Sequence, residues 1–127
     1  MKKLLLLLLL ILIGCSTKVE QSRLVERDGL FHLPYNKKPY TGYVEDDCFK
    51  GYIKEGKFHG HFQYYHRNEY YDSTINRYTP KCWSGSLYEE GDYKNGERDG
   101  VWVEWSDDGN LVSEVIFKDG EYFGEKE

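Results

Sequence analysis

The side chains with most capacity for chemistry in this chain are its histidines, its paired acids and its cysteines. His59-Gly60-His61, with His66 nearby, sets two imidazoles on alternate residues, which share a face when the backbone is extended and would suit a nitrogen-ligated metal. No carboxylate pattern accompanies them to orient the rings, and His59 corresponds to the turn residue Asp99 when two related segments are aligned. They read as turn and strand-end histidines, with no metal and no cofactor expected. The pairs Asp46-Asp47, Glu89-Glu90 and Asp107-Asp108 would suit calcium or glycoside chemistry only if both carboxylates converged. Strand neighbours point to opposite faces and the third pair lies in a turn, so these are solvated positions. There is no Gly-x-Ser-x-Gly elbow, phosphate loop or zinc-ligand spacing, and the chain is not expected to be an enzyme.

Composition narrows the class further. Twelve tyrosines, an aromatic content of 17% and the complete absence of alanine favour strands and tight turns over helices, which makes the expected fold class all-β. Met1-Lys2-Lys3 is a basic start, residues 4–13 are an almost pure leucine and isoleucine run, and Gly14-Cys15 follows. That is the layout of a secretory leader, too short to span a bilayer as a lasting helix. Losing Lys2 and Lys3 makes a chain of formal charge −5 more acidic still, which argues against nucleic acid as a partner. Residues 15–28 are polar and aperiodic and read as a short flexible tether.

Leu12-Ile13-Gly14-Cys15 resembles the lipobox of bacterial lipoproteins. The resemblance implies that residues 1–14 are a signal peptide and that Cys15 is the mature N-terminus, carrying a thioether-linked diacylglycerol and usually an amide-linked acyl chain such as palmitate. At about 0.8 kcal/mol per buried methylene, two or three chains hold a protein on a membrane where one does so marginally. Ser16 stands where Gram-negative lipoproteins kept on the inner membrane commonly have aspartate, so the expected location is the outer membrane, or the outer face of the cytoplasmic membrane in a Gram-positive cell. With Cys15 lipidated, Cys48 and Cys82 are the thiols left in an oxidising compartment. They either form a disulfide or stay as two free cysteines.

The segment Tyr93-Lys94-Asn95-Gly96-Glu97-Arg98-Asp99-Gly100-Val101-Trp102-Val103-Glu104-Trp105 organises the rest. It reads as a hairpin, with a strong Asn-Gly turn signal between aromatic strands. Ile53 to Tyr65 repeats it position for position, Gly56, Gly60, Phe62 and Tyr65 matching Gly96, Gly100, Trp102 and Trp105. Phe117 to Gly124, with Gly120 and Gly124, repeats its first half, and residues 35–44 read as a degenerate first copy with Lys38 in place of a glycine. Between the two clear copies the spacing widens, and the extra residues fall at about 66–85, where Asn68, Asp72, Asn76, Pro80 and Gly85 predict interrupted, loop-like chain. Trp102 and Trp105 cannot share a face of a regular strand: either a bulge turns one, or one ring stays partly exposed.

These glycines and aromatics resemble the bacterial variant of the MORN repeat over residues 29–127 apart from the insert. The resemblance implies an elongated antiparallel β-meander of repeated hairpins, with aromatics stacked from unit to unit. Two functional readings follow. One is a lipid-anchored, non-catalytic module that binds an envelope protein partner through its aromatic face, its insert or an edge strand. The other is a binder of, or enzyme on, envelope glycan or peptidoglycan that uses the tyrosines in and beside the insert, Tyr64, Tyr65, Tyr70, Tyr71 and Tyr78, as a platform.

Overall fold

The computed structural model describes residues 18–126, without the side chains of residues 69–71, 78–81, 83 and 84. Within that span the chain is all-β and antiparallel. A short 3-10 turn (Gln21–Arg23) precedes β1 (Val25–Arg27) and β2 (Leu30–His32), which form a two-stranded sheet. The remaining strands are β3 (Gly42–Glu45), β4 (Phe49–Lys54), β5 (Lys57–Phe58), β6 (Gly60–Asp72), β7 (Arg77–Lys94), β8 (Glu97–Trp105), β9 (Leu111–Lys118) and β10 (Glu121–Glu125). They form one sheet in the order β10-β9-β8-β7-β6-β4-β3, with β5 added to β4, which is a meander in sequence order.

Four hairpins close through two residues that both have positive φ, the pattern whose twist matches that of the flanking strands: Asp28-Gly29, Glu55-Gly56, Asn95-Gly96 and Asp119-Gly120. The glycine N–H of each later turn reaches back to the preceding unit, Gly56 to the Tyr40 carbonyl at 2.8 Å, Gly96 to Phe58 at 2.9 Å and Gly120 to Arg98 at 3.0 Å. Phe58 and Arg98 occupy the same place in successive units, so this bond is a repeated unit-to-unit link. Side chains then divide the sheet into an aromatic face and a polar face. Phe31, Phe58, Phe62, Tyr93, Trp102 and Phe117 form a ladder of rings on the first, with successive centroids 4.7 to 6.4 Å apart. Each such pair adds about 0.5–1.5 kcal/mol beyond the area it buries. The buried core is Tyr40, Val44, Phe49, Ile53, Phe62 and Trp102, with Val19, Leu24, Phe31 and Leu33 packed against it from the N-terminal segment.

Two glycines inside strands, which the sequence pattern does not mark, have a packing role. Gly51 lies under the Phe62 ring and Gly91 under the Trp102 ring, and a methyl group at either would fall well inside 3.0 Å of ring carbons. The two units use the same device, a glycine in one strand leaving room for an aromatic plate from the next. Opposite Gly91 the β7–β8 register jumps, Glu90 pairing Val103 and Asp92 pairing Asp99, which lets Trp102 fold over it. Gly91→Ala and Gly51→Ala are each expected to destabilise the domain by about 1–3 kcal/mol through overpacking. Gly124→Ala is expected to leave the thermal midpoint unchanged, and thermal melts of the three variants check this ordering. Gly124 has neither a left-handed backbone nor a close neighbour, so it is not the structural counterpart of the other repeat glycines.

Three expectations need correction. Residues 18–28 are not a flexible tether: Val19 lies parallel to β3, its N–H donating to the Tyr43 carbonyl at 3.2 Å and its carbonyl accepting from Glu45 at 3.1 Å, and β1 follows at once. Two apolar residues, Val19 and Leu24, suffice to seat this polar segment on the core. Residues 35–44 do not form a hairpin copy; Tyr35 sits in an exposed turn at φ 65°, and the additional repeat-like turn is Asp28-Gly29 upstream. The insert is no loop either. Its residues extend β6 and β7 into a two-stranded arm paired from Arg67↔Cys82 to Asp72↔Arg77. β8 pairs with β7 only from Glu89 onward, so the arm has one neighbour per strand and tolerates Pro80, which cannot donate to a second one.

Trp102 and Trp105 resolve as both alternatives together. The β8–β9 register shifts between Glu104 and Trp105, and Trp102 is 1% exposed while Trp105 is only half-buried.

Candidate functional site

The arm and the aromatic face meet in a cleft of about 500 Å³. Its apolar surface comes from Phe49, Phe58 and Tyr64, and one wall is the disulfide between Cys48 and Cys82, whose Cα atoms lie 4.7 Å apart. Cys48 precedes β4 and Cys82 lies in the arm opposite Arg67, so the bond fastens the base of the arm to the body of the sheet. Asp46 fixes the turn before β4, its carboxylate accepting from the Cys48 and Phe49 N–H groups at 2.7 and 3.0 Å. Gln21, Arg67 and Tyr88 complete much of the rim.

The far side is an ion pair laid over aromatic rings. Arg98 makes a bidentate contact with Glu89 at 2.6 and 2.8 Å while its guanidinium sits 3.9 Å from the Trp102 ring and 5.3 Å from that of Phe117. Burial disfavours the arginine charge, but the hydrogen bonds and charge of Glu89 outweigh it and hold the pKa above its ordinary value. Planar stacking with a two-pronged carboxylate contact is geometry that lysine does not reproduce. Arg98 takes the place that Phe58 has in the preceding unit, so one repeat position supplies an aromatic surface at one end of the cleft and a charged one at the other.

Tyr64 joins the floor to the core. Its hydroxyl lies 3.1 Å from that of Tyr93, and its ring contacts Phe49, Phe62 and Trp102. Burial, then the hydrogen bond to Tyr93, pushes the Tyr64 pKa well above that of a free phenol. The folded chain therefore keeps a proton that the unfolded chain releases near pH 10, and stability must fall as pH rises past that value. Tyr64→Phe, which keeps the ring and removes the ionisable group, is expected to flatten the alkaline limb of a plot of melting midpoint against pH. An equally steep limb in the variant would assign the alkaline loss elsewhere.

The sequence-predicted residues divide. Tyr64, Tyr65, Cys48 and Cys82 are brought together at the cleft. The side chains of Tyr70, Tyr71 and Tyr78 lie outside the described part of the structure, as does Cys15. The histidines are not brought together. His61 lies on the polar face between Glu90 and Asp92, at 3.1 and 3.3 Å. His66 bridges Asp107 at 2.7 Å and the Trp105 carbonyl at 3.0 Å. Among the described residues no three side chains of the metal-ligating kinds converge. Glu89 and Glu90 point to opposite faces, toward Arg98 and His61 respectively. Phe49, Phe58, Tyr88 and Arg98 were not singled out by sequence reasoning, and Glu89, expected to be solvated, is instead held in the ion pair with Arg98 with its side chain 17% exposed; the available signal was that Phe58 and Arg98 stand two residues after matching turn glycines.

Among the described residues no helix is long and apolar enough to cross a membrane. No family model, curated protein or solved structure matches the chain.

Proposed function

We propose that this chain is a lipoprotein of MORN-variant repeats, anchored through Cys15 in the bacterial cell envelope, whose β-repeat domain is a non-catalytic module for binding a protein partner. The outer membrane is the expected location where the cell has one. The observation that carries the reading is the cleft, a concavity of about 500 Å³ floored by aromatic rings and framed by a disulfide-fastened arm. A cleft of that size with a few convergent polar groups takes a small ligand or an anchoring side chain of a protein partner. Its carboxylates are already engaged, Glu89 by Arg98 and Asp46 by backbone N–H groups, which supports recognition over proton transfer. The repeated turn links and the ring ladder support the resemblance to MORN units.

The test is retrieval of the mature lipoprotein from detergent-solubilised envelopes beside two rim variants, Tyr88→Ala and Arg67→Glu. Tyr88 is 40% exposed and Arg67 is exposed, so neither change should disturb the core. A stoichiometric protein partner that is retained by the native chain and diminished by the rim variants is the expected result. The aromatic floor also suits a sugar ring, so the absence of any stoichiometric protein, together with saturable glycan binding by the purified domain, would favour the glycan reading.

A further inference from the structure

The first residues of the described chain are seated on β3, close to the proposed anchor. Lys18 forms an ion pair with Glu45, and Val19 is hydrogen-bonded on both sides to β3. Cys15 is three residues before Lys18, and an extended chain advances at most about 3.6 Å per residue, so the two Cα atoms are within about 11 Å of each other. A diacylglycerol on Cys15 places its glycerol among the lipid headgroups. The β3 edge of the sheet therefore has at most about 11 Å of chain with which to stand away from the bilayer.

The surface at that edge has the chemistry of a membrane interface. On the polar face beside Lys18, Tyr43 is 53% exposed and packs edge-on against Tyr52 at 5.0 Å, and Lys50 lies 5.7 Å from the Tyr65 ring centroid. A groove of about 360 Å³ runs beside them. Tyrosine rings settle at the headgroup level with the hydroxyl in water, and lysines reach outward from the same depth. Farther along this face Glu90, Asp92 and Glu114 follow, whose charge opposes laying the sheet flat on phosphates. The outer strands β9 and β10 are about 24 Å or more from β3 at the usual strand spacing.

We propose that the domain rests on the lipid surface by the corner formed by Lys18, Tyr43, Lys50 and Tyr52, with β9 and β10 pointing away from the bilayer. The inference rests on lipidation of Cys15. The experiment uses the full mature lipoprotein, isotopically labelled, in nanodiscs of phosphatidylethanolamine and phosphatidylglycerol with and without a gadolinium-chelating lipid. Intact mass establishes the lipid first. The amide signals of Lys18, Tyr43 and Lys50 are expected to lose more than half their intensity to the paramagnetic lipid, while those of Asp108 and Phe123 keep theirs. Tyr43→Asp, an exposed change, should reduce that contrast at least twofold. Uniform broadening, no broadening, or an unchanged contrast in Tyr43→Asp, in a chain whose mass includes the lipid, overturns the docking and leaves the anchor standing. A mass without lipid overturns both.

Discussion

Trp102→Ala is expected to destabilise the domain by about 3–5 kcal/mol, the usual range for emptying a buried aromatic site. Trp102 is 1% exposed and is the plate on which two units meet. It covers Gly91, contacts the rings of Tyr64, Tyr93 and Phe117, carries the Arg98 guanidinium, and donates its indole N–H to the Asp92 carbonyl at 3.1 Å. Alanine would empty that space, strip Arg98 of its stacking surface and leave the Asp92 carbonyl without this donor. A domain of this size commonly has about 5–15 kcal/mol in total, and each kcal/mol moves the midpoint by roughly 4–8 °C. A fall of about 12 °C or more is therefore the expected result of a thermal melt. Leu111→Ala and Phe123→Ala, at side chains 60% and 71% exposed, should stay within about 0.5 kcal/mol of the native chain. If Trp102→Ala melted alongside these two, the stacking of units described above would be wrong.

The hairpin at Tyr93 was legible because Asn95-Gly96 states its turn locally, and Glu55-Gly56 could be read by register with it. Gly51 and Gly91 were not legible in the same way. A glycine within a strand has no local signature, and the ring that needs its missing side chain comes from the following strand. The forty-residue offset that relates Gly56 to Gly96 also relates Gly51 to Gly91, so extending the repeat upstream would have found them. The arm was misread because Asn68, Pro80 and Gly85 punctuate it as they would a loop. Those residues break strands that have neighbours on both sides, and the arm has none beyond its own partner. The cleft was half legible for a related reason: Tyr64 and Tyr65 stand out by type, whereas Arg98 and Glu89 acquire meaning only when the register sets Arg98 over Trp102 and Phe117 and brings Glu89 to its guanidinium.

Removing the disulfide with Cys48→Ser and Cys82→Ser together is expected to lower stability by roughly 3–4 kcal/mol, from the entropy of the closed loop it restores to the unfolded chain. The cysteines are 34 residues apart, and the loop between them contains β4, β5, all of β6 and the tip of the arm. A second effect is expected in the folded state. The arm is a lone two-stranded hairpin past Arg67↔Cys82, and such hairpins are marginal in water on their own. Its tip has local support, the Asp72 carboxylate accepting from the Thr74 N–H and hydroxyl at 2.9 and 2.6 Å, which also holds the Asp72 pKa below its ordinary value. Its base has the disulfide and the Tyr65 N–H bond to the Cys48 carbonyl at 2.8 Å. Without the sulfur bridge, amide exchange should therefore quicken across residues 67–82 under conditions where residues 89–105 stay protected. Protection unchanged along the arm would mean that the bridge acts on the unfolded chain alone and that strand pairing by itself keeps the cleft framed. Two titratable thiols in the denatured, lipidated native chain would remove the bridge from both accounts, and the cleft would then have one movable wall.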